Sequence, residues 1–175
     1  MMIEFVNLII NRDLHEYRNT QYFTEVLFLY LRYFRFLDDD YALDGNSFYE
    51  YFVSLLERLN PFFWVILCDG KFSGFVFLDN LIGDKNHIHT AEITTCFLKE
   101  YWGDYTKYCA KLFLNFCFHK LKINKLKVQV YPQNSRTKTI LRYCGFEKEA
   151  FLKNETLKNG QMQDIEIYSI FNQER

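Results

Sequence analysis

The chain has 175 residues, 49% hydrophobic and 19% aromatic, with 19 Phe and 13 Tyr against 2 Pro; so much core-forming material excludes a disordered polymer. The length suits one domain, taken as 1–175. A formal net charge of -1 gives no long-range attraction to nucleic acid or anionic lipid, so neither is an expected partner.

No apolar run reaches the roughly 18 residues needed to span a bilayer. The densest run, TEVLFLYLRYFRFL, is interrupted by Arg32 and Arg35. The start lacks the basic and apolar regions of a secretion signal. Cys68, Cys96, Cys109, Cys117 and Cys144 form no CxxC pair and no metal spacing. An odd number of thiols, mostly inside apolar runs, predicts reduced, buried cysteines and a cytoplasmic setting.

In chain order, Ile3 to Ile10 reads as a strand with imperfect alternation. Asn11-Arg12-Asp13 reads as a turn, with Asp13 a candidate cap for a helix from Leu14 to Leu37. Phe23, Leu27, Tyr30 and Phe34 form that helix's apolar stripe. Asp38-Asp39-Asp40 reads as a solvated loop. Ser47 to Leu59 is a second amphipathic helix, stopped by Asn60-Pro61. Phe62 to Cys68, Asp69-Gly70 and Phe72 to Leu78 predict a hairpin. A polar loop, Gly83 to His89, leads to a strand at Ala91 to Leu98. A long apolar helix to Leu121 follows the Trp102-Gly103-Asp104 turn. Lys125 to Tyr131 alternates as a strand, and Arg136 to Cys144 is a short helix closed by Gly145. Phe146 to Leu157 and Asp164 to Phe171 are the last strands, joined across Lys158-Asn159-Gly160. The order β-α-α-β-β-β-α-β-α-β-β predicts a mixed α/β sheet.

A strand that feeds a helix through a glycine turn aims backbone N–H groups, with the positive end of the helix dipole, beyond the turn. The Gly103 turn is therefore a candidate anion site.

Three patterns carry a resemblance. Tyr101-Trp102-Gly103-Asp104-Tyr105 precedes the long helix; Asn134 to Phe146 reads NSRTKTILRYCGF; Phe151 to Ser169 reads FLKNETLKNGQMQDIEIYS. With the order of elements they resemble the GNAT superfamily of acyl-CoA N-acyltransferases, over roughly Phe62 to Phe171. The likeness is strongest to the branch that acetylates N-terminal alanine of ribosomal proteins. The resemblance implies a central mixed, mostly antiparallel twisted sheet of about seven strands flanked by about four helices. It divides the chain into an acceptor side (1–60), a cofactor-binding core (61–131) and a C-terminal helix and hairpin (132–175).

The implied reaction is direct attack of a primary amine, a peptide N-terminus or small amine, on the thioester of acetyl-CoA. The implied cofactor contacts are Gly103, Asp104, Tyr105, Thr106 and Lys107 around the pyrophosphate, Cys96 and Phe97 at the thioester, Asn134 at the pantetheine amides, and Arg136, with Lys138, at the adenosine phosphate, the alternative for these two being simple solvation. Tyr105 stands where the branch has a second glycine, and Glu100 where it has Gln or Arg. Glu92 is the candidate general base, against the alternative that it lies on the solvent side or at a frayed strand start. Asn134 has helix capping as its alternative. His87 and His89 are a further candidate base against a solvated loop. The position of the usual proton-donating Tyr is Leu141, with Tyr143 about 200° from it around the helix.

The acceptor end is the least defined. The acid-rich loop of Asp38, Asp39, Asp40 and Asp44 suits a cationic amine or is a solvated loop. The aromatic surplus of Tyr22 to Phe36 suits a dimer or partner surface. The alternative function is a catalytically inactive GNAT-fold interaction module.

Overall fold

The computed structural model describes residues 1–40, 47–84 and 86–173; Asp44 lies outside them. Nine strands and four α-helices are found there: β1 (Ile3–Asn7), β2 (Ile9–Asn11), β3 (Glu16–Arg18), α1 (Phe23–Leu37), α2 (Phe48–Leu59), β4 (Phe63–Cys68), β5 (Lys71–Gly83), β6 (Ile88–Phe97), α3 (Asp104–His119), β7 (Lys125–Val130), α4 (Ser135–Tyr143), β8 (Glu147–Lys158) and β9 (Gln161–Phe171). Seven strands form a sheet in the order β1-β4-β5-β6-β7-β9-β8, and β2 and β3 form a separate pair. β6 and β7 run parallel, in register from Thr90 opposite Lys125 to Glu92 opposite Lys127. The pairings β1–β4, β4–β5, β7–β9 and β8–β9 are antiparallel. None of the described helices is long and apolar enough to cross a membrane.

Two hairpins follow directly from turn chemistry. Asp69 and Gly70 both have positive φ, 48° and 75°, between Cys68 and Lys71. Asn159 and Gly160, at 51° and 70°, join Lys158 to Gln161 in the same way. Positive φ at both central residues is the turn that matches the twist of a two-residue hairpin.

The first expected strand is broken. Val6, Leu8, Ile9 and Ile10 are apolar at nearly consecutive positions, so a straight strand would expose half of them. The chain instead leaves β1 after Asn7, and Leu8 donates its N–H to the Phe63 carbonyl at 3.1 Å. Leu8, Ile9 and Ile10 are then all buried.

The first helix begins nine residues later than expected, at Phe23. His15 and Asn19 have φ of 51° and 54°, which a helix cannot accommodate. Leu14 and Tyr17 are exposed, so no apolar stripe holds a helix there, and Asp13 caps nothing helical. The buried line of α1 is Val26, Leu29 and Tyr30; of the expected stripe, Phe23, Leu27 and Phe34 are only half-buried. α2 starts as expected, with Ser47 Oγ accepting the Glu50 N–H at 3.2 Å, one half of a capping box.

Contacts divide the chain into two compact units, residues 1–78 with 94–101, and 79–93 with 102–175. The core of the first is built from rings. Tyr30, Phe52, Phe63 and Phe75 are fully buried, with centroids 5.2 Å apart for Tyr30–Phe52, 5.8 Å for Tyr30–Phe75 and 5.4 Å for Phe63–Phe75. Much of the aromatic surplus therefore fills the interior, while Phe28 and Phe36 stay exposed. In the second unit α3 buries Cys109, Phe113, Leu114 and Cys117. Leu126, Leu141, Ile165 and Tyr168 are buried there as well.

Candidate functional site

Gly103 stands just before α3 with φ 108° and ψ −131°. A side chain at this φ is strained, and an added Cβ would project into open space. The glycine is thus required by the backbone and leaves room for a group to approach it. No side chain caps α3 at this residue, and the first N–H groups of any helix lack intrahelical carbonyls.

Beside this turn is a pocket of about 310 Å³ lined by Gly103 and Lys107 with Ser135, Arg136, Thr139 and Ile140 of α4. That volume is at the low end for ligand pockets. Its open polar wall is cationic. The Arg136 guanidinium lies over the Trp102 ring, 4.0 Å from its centroid, an arrangement that orients the planar cation. Lys107 Nζ contacts Asp104 Oδ1 at 2.9 Å. Their hydrogen bond holds the Asp104 carboxyl below its usual range and raises the Lys107 ammonium. The Asp104 side chain is 98% exposed, so its charge is both paired and hydrated. Tyr105 is half-buried and Thr106 buried, and neither lines the pocket. An open glycine backbone, a helix N-terminus and two cationic side chains fit an anionic group.

Asn134 is the N-cap of α4, its Oδ1 accepting the Thr137 N–H at 3.1 Å. The capping role therefore occupies one end of its amide and leaves Nδ2 for other contacts. Lys138 departs from expectation. It donates to the Pro132 carbonyl and lies 3.4 Å from Glu166 Oε2, so its charge is committed within the second unit. Leu141 is buried, and Tyr143 carries Lys111 Nζ 4.2 Å from its ring centroid. The Cys144 thiol is pushed up by burial.

Glu92 lies on β6 between the buried Ala91 and Ile93 and is itself half-buried. It accepts from Asn80 Nδ2 at 3.2 Å. His87 Nε2 is 3.0 Å from Asn124 Nδ2, and His89 Nδ1 is 2.9 Å from Thr90 Oγ1. Among the described residues no group of three His, Cys, Asp or Glu could hold a metal ion.

Cys96 and Phe97 end β6 and belong to the first unit. Both are buried, and burial pushes the Cys96 thiol up to about 12. That removes it as a nucleophile near neutral pH. A Cβ at Gly74 would stand 2.3 Å from the Cys96 carbonyl oxygen, so glycine lets β5 lie close to this strand end.

Asp38 is also differently engaged than expected. It accepts from the Tyr30 hydroxyl and is bonded to Tyr51 as well. Burial, with this carboxylate second, drives the Tyr30 phenol far up. Asp38 is thus an anchor between α1 and α2. A second pocket, about 350 Å³, lies in the first unit among Ile10, Arg12, Tyr17, Thr20, Phe23, Tyr49 and Val53. The Arg12 guanidinium there is held by Glu57 at 2.8 Å and Glu50 at 3.3 Å.

The structure brings Gly103, Lys107 and Arg136 together around one pocket, with Asp104 tied to it through Lys107. Sequence reasoning missed Ser135, Thr139 and Ile140. The i, i+4 spacing of Ser135 with Thr139 and of Arg136 with Ile140, on the helix after Asn134, was the available signal.

Residues 13–147 match the family model described as an acetyltransferase (GNAT) domain. Spermidine N(1)-acetyltransferase of Escherichia coli K12 is 31% identical over 153 residues, covering 81% of this chain and 80% of that protein. Ribosomal-protein-S5-alanine acetyltransferase from Vibrio fischeri superposes with a TM-score of 0.72 at 16% identity, over 97% of this chain and 98% of that one. Mycobacterium smegmatis RimJ, solved in complex with CoA-disulfide, gives 0.71 at 17% identity, over 90% and 80%. At those identities the two structures speak for the fold alone. The family draws its acyl group from acetyl-CoA. The chain belongs to the GNAT acetyltransferase family and is an acyl-CoA-dependent N-acetyltransferase.

Proposed function

We propose that the protein transfers an acetyl group from acetyl-CoA to a primary amine, by direct attack of the amine on the thioester. The observation that carries this reading is the open cationic pocket of Gly103, Lys107 and Arg136 at the start of α3. The backbone of Gly103 through Asp104, Tyr105 and Thr106, with the side chain of Lys107, holds the pyrophosphate, as a helix N-terminus does. Arg136, which the resemblance puts at the adenosine phosphate, is oriented by Trp102 and adds a fixed charge at the rim of the same pocket. Asn134 uses its Nδ2 for a pantetheine amide. Bound acetyl-CoA supplies the activated acyl group.

The amine must be neutral to attack, and Glu92 is the group assigned to take its proton. It is a half-buried carboxylate that Asn80 holds in place. The relative matched over most of both chains is named for spermidine, which presents primary amines.

The test is release of CoA thiol during incubation with acetyl-CoA and a panel of amines. Turnover of at least one primary amine is expected, with kcat falling about a hundredfold in Glu92→Gln, the low end for loss of a general base. Acetyl-CoA binding without thiol release on any amine would overturn the reading. In binding, Arg136→Glu should weaken CoA about tenfold and leave pantetheine, which lacks the phosphates, unchanged.

A further inference from the structure

The seam between α3 and α4 runs on past the pocket at Gly103. Lys107 lines that pocket from α3, and Arg136 and Thr139 line it from α4. One turn further, Lys111 follows Lys107 and Tyr143 follows Thr139, each four positions on and so on the same helix face. These two residues meet. Lys111 Nζ lies 4.2 Å from the centroid of the Tyr143 ring, and Lys107 Nζ lies 5.6 Å from it. Tyr143 is half-exposed and Lys111 exposed, so one ring carries both ammonium groups at the surface.

The charge along the seam has one sign. α3 holds a single acid, Asp104, which is bound to Lys107, and α4 holds none. Lys138 is spent on the Pro132 carbonyl and Glu166, and Arg142, four positions later, lies on the face of Lys138 rather than on the seam. Among the described residues neither Arg136 nor Lys111 makes an ion pair. Each is held by a ring instead, Arg136 by Trp102 and Lys111 by Tyr143. A cation on an aromatic face is fixed in place while its outward N–H donors stay free for an anion. Side chains on a helix lean toward its N-terminus, so Lys111 leans toward the pocket from about 6 Å further along the axis.

Acetyl-CoA carries a second anion at that range. The ribose that bears the pyrophosphate on its 5′ oxygen bears a phosphate monoester on its 3′ oxygen. A cofactor anchored at the start of α3 therefore brings this group within one sugar of the pocket. We infer, on the reading that the pocket at Gly103 holds the pyrophosphate, that Lys111 seated on Tyr143 binds the 3′-phosphate together with Arg136. Lys111 thereby makes the enzyme select acetyl-CoA over its 3′-dephospho form.

The test is calorimetric titration of acetyl-CoA and of 3′-dephospho-acetyl-CoA. The wild-type protein should bind acetyl-CoA about tenfold tighter, the scale of one charged hydrogen bond. Lys111→Gln should lose that preference by weakening acetyl-CoA alone, with an unchanged melting temperature because the side chain is exposed. Tyr143→Leu should lose part of it, and Tyr143→Phe, which keeps the ring, should match the wild type. Equal wild-type affinity for the two cofactors, an equal loss for both in Lys111→Gln, or full preference in Tyr143→Leu would each overturn the assignment. Binding of neither cofactor by the wild type would remove the parent reading and this one with it, a result distinct from binding without preference.

Discussion

Tyr30 and Arg136 each join a polar group to an aromatic partner, with opposite consequences. In the first unit Tyr30 is sealed among Phe52 and Phe75 and its hydroxyl is spent on Asp38. In the second unit Arg136 is exposed, rests on Trp102, and borders an open pocket. One arrangement consumes its hydrogen-bonding capacity in the fold; the other keeps a fixed charge available to a ligand. Damage to the first should therefore cost stability, and damage to the second should cost binding.

The largest expected effect breaks the closed side. Phe52→Ala removes a fully buried ring and should destabilise by about 3–5 kcal/mol, read from urea unfolding. A loss below about 1 kcal/mol would contradict the ring-built core. Next is Gly103→Val, which forces a β-branched residue to φ 108°, at about 1–3 kcal/mol of strain. Its effect on acetyl-CoA affinity should exceed tenfold, beyond what the stability loss alone explains.

A smaller effect concerns Glu166, which holds Lys148 at 2.8 Å and accepts from the Tyr168 hydroxyl at 3.1 Å. Its hydrogen bond to Lys148, first, keeps its carboxyl below the usual range. A folded value below the unfolded one stabilises above about pH 4.3, and the contribution fades as pH falls through the folded value. Glu166→Gln should cost about 1 kcal/mol at neutral pH, a figure discounted because Lys148 is partly exposed. The gap from wild type should close in acid; a gap that widens there would contradict the assignment. Smallest is Asp104→Asn. Its side chain is almost fully exposed, so melting should not change, while acetyl-CoA should bind slightly tighter once Lys107 is released. A weakened complex would show that Asp104 supports the site.

Much of the fold was legible because short-range chemistry dictates it. The hairpins at Asp69-Gly70 and Asn159-Gly160 and the cap at Ser47 follow from single residues whose backbone preference is strong. The start of α1 was not legible. Residues Leu14 to Tyr22 contain good helix formers, and only the tertiary pairing of β2 with β3 sets His15 and Asn19 at positive φ. The site was half legible. Gly103 and Arg136 could be named from motif spacing, whereas the stacking of Arg136 on Trp102 joins residues 34 apart that no local pattern connects. The role of Asp38 was hidden for the same reason. An acidic run reads as solvent-facing until the two tyrosines that bind it are brought beside it by α1 and α2.

The account turns on the pocket at the start of α3 holding the anionic part of acetyl-CoA. Calorimetric titration of acetyl-CoA into the wild-type protein and into Gly103→Trp tests it most directly. Saturable one-site binding by the wild type, and none by a variant that remains folded and loses only the stability that a side chain at φ 108° costs, is the expected result. Equal affinity in the two proteins, or no wild-type binding at high micromolar acetyl-CoA, would contradict it.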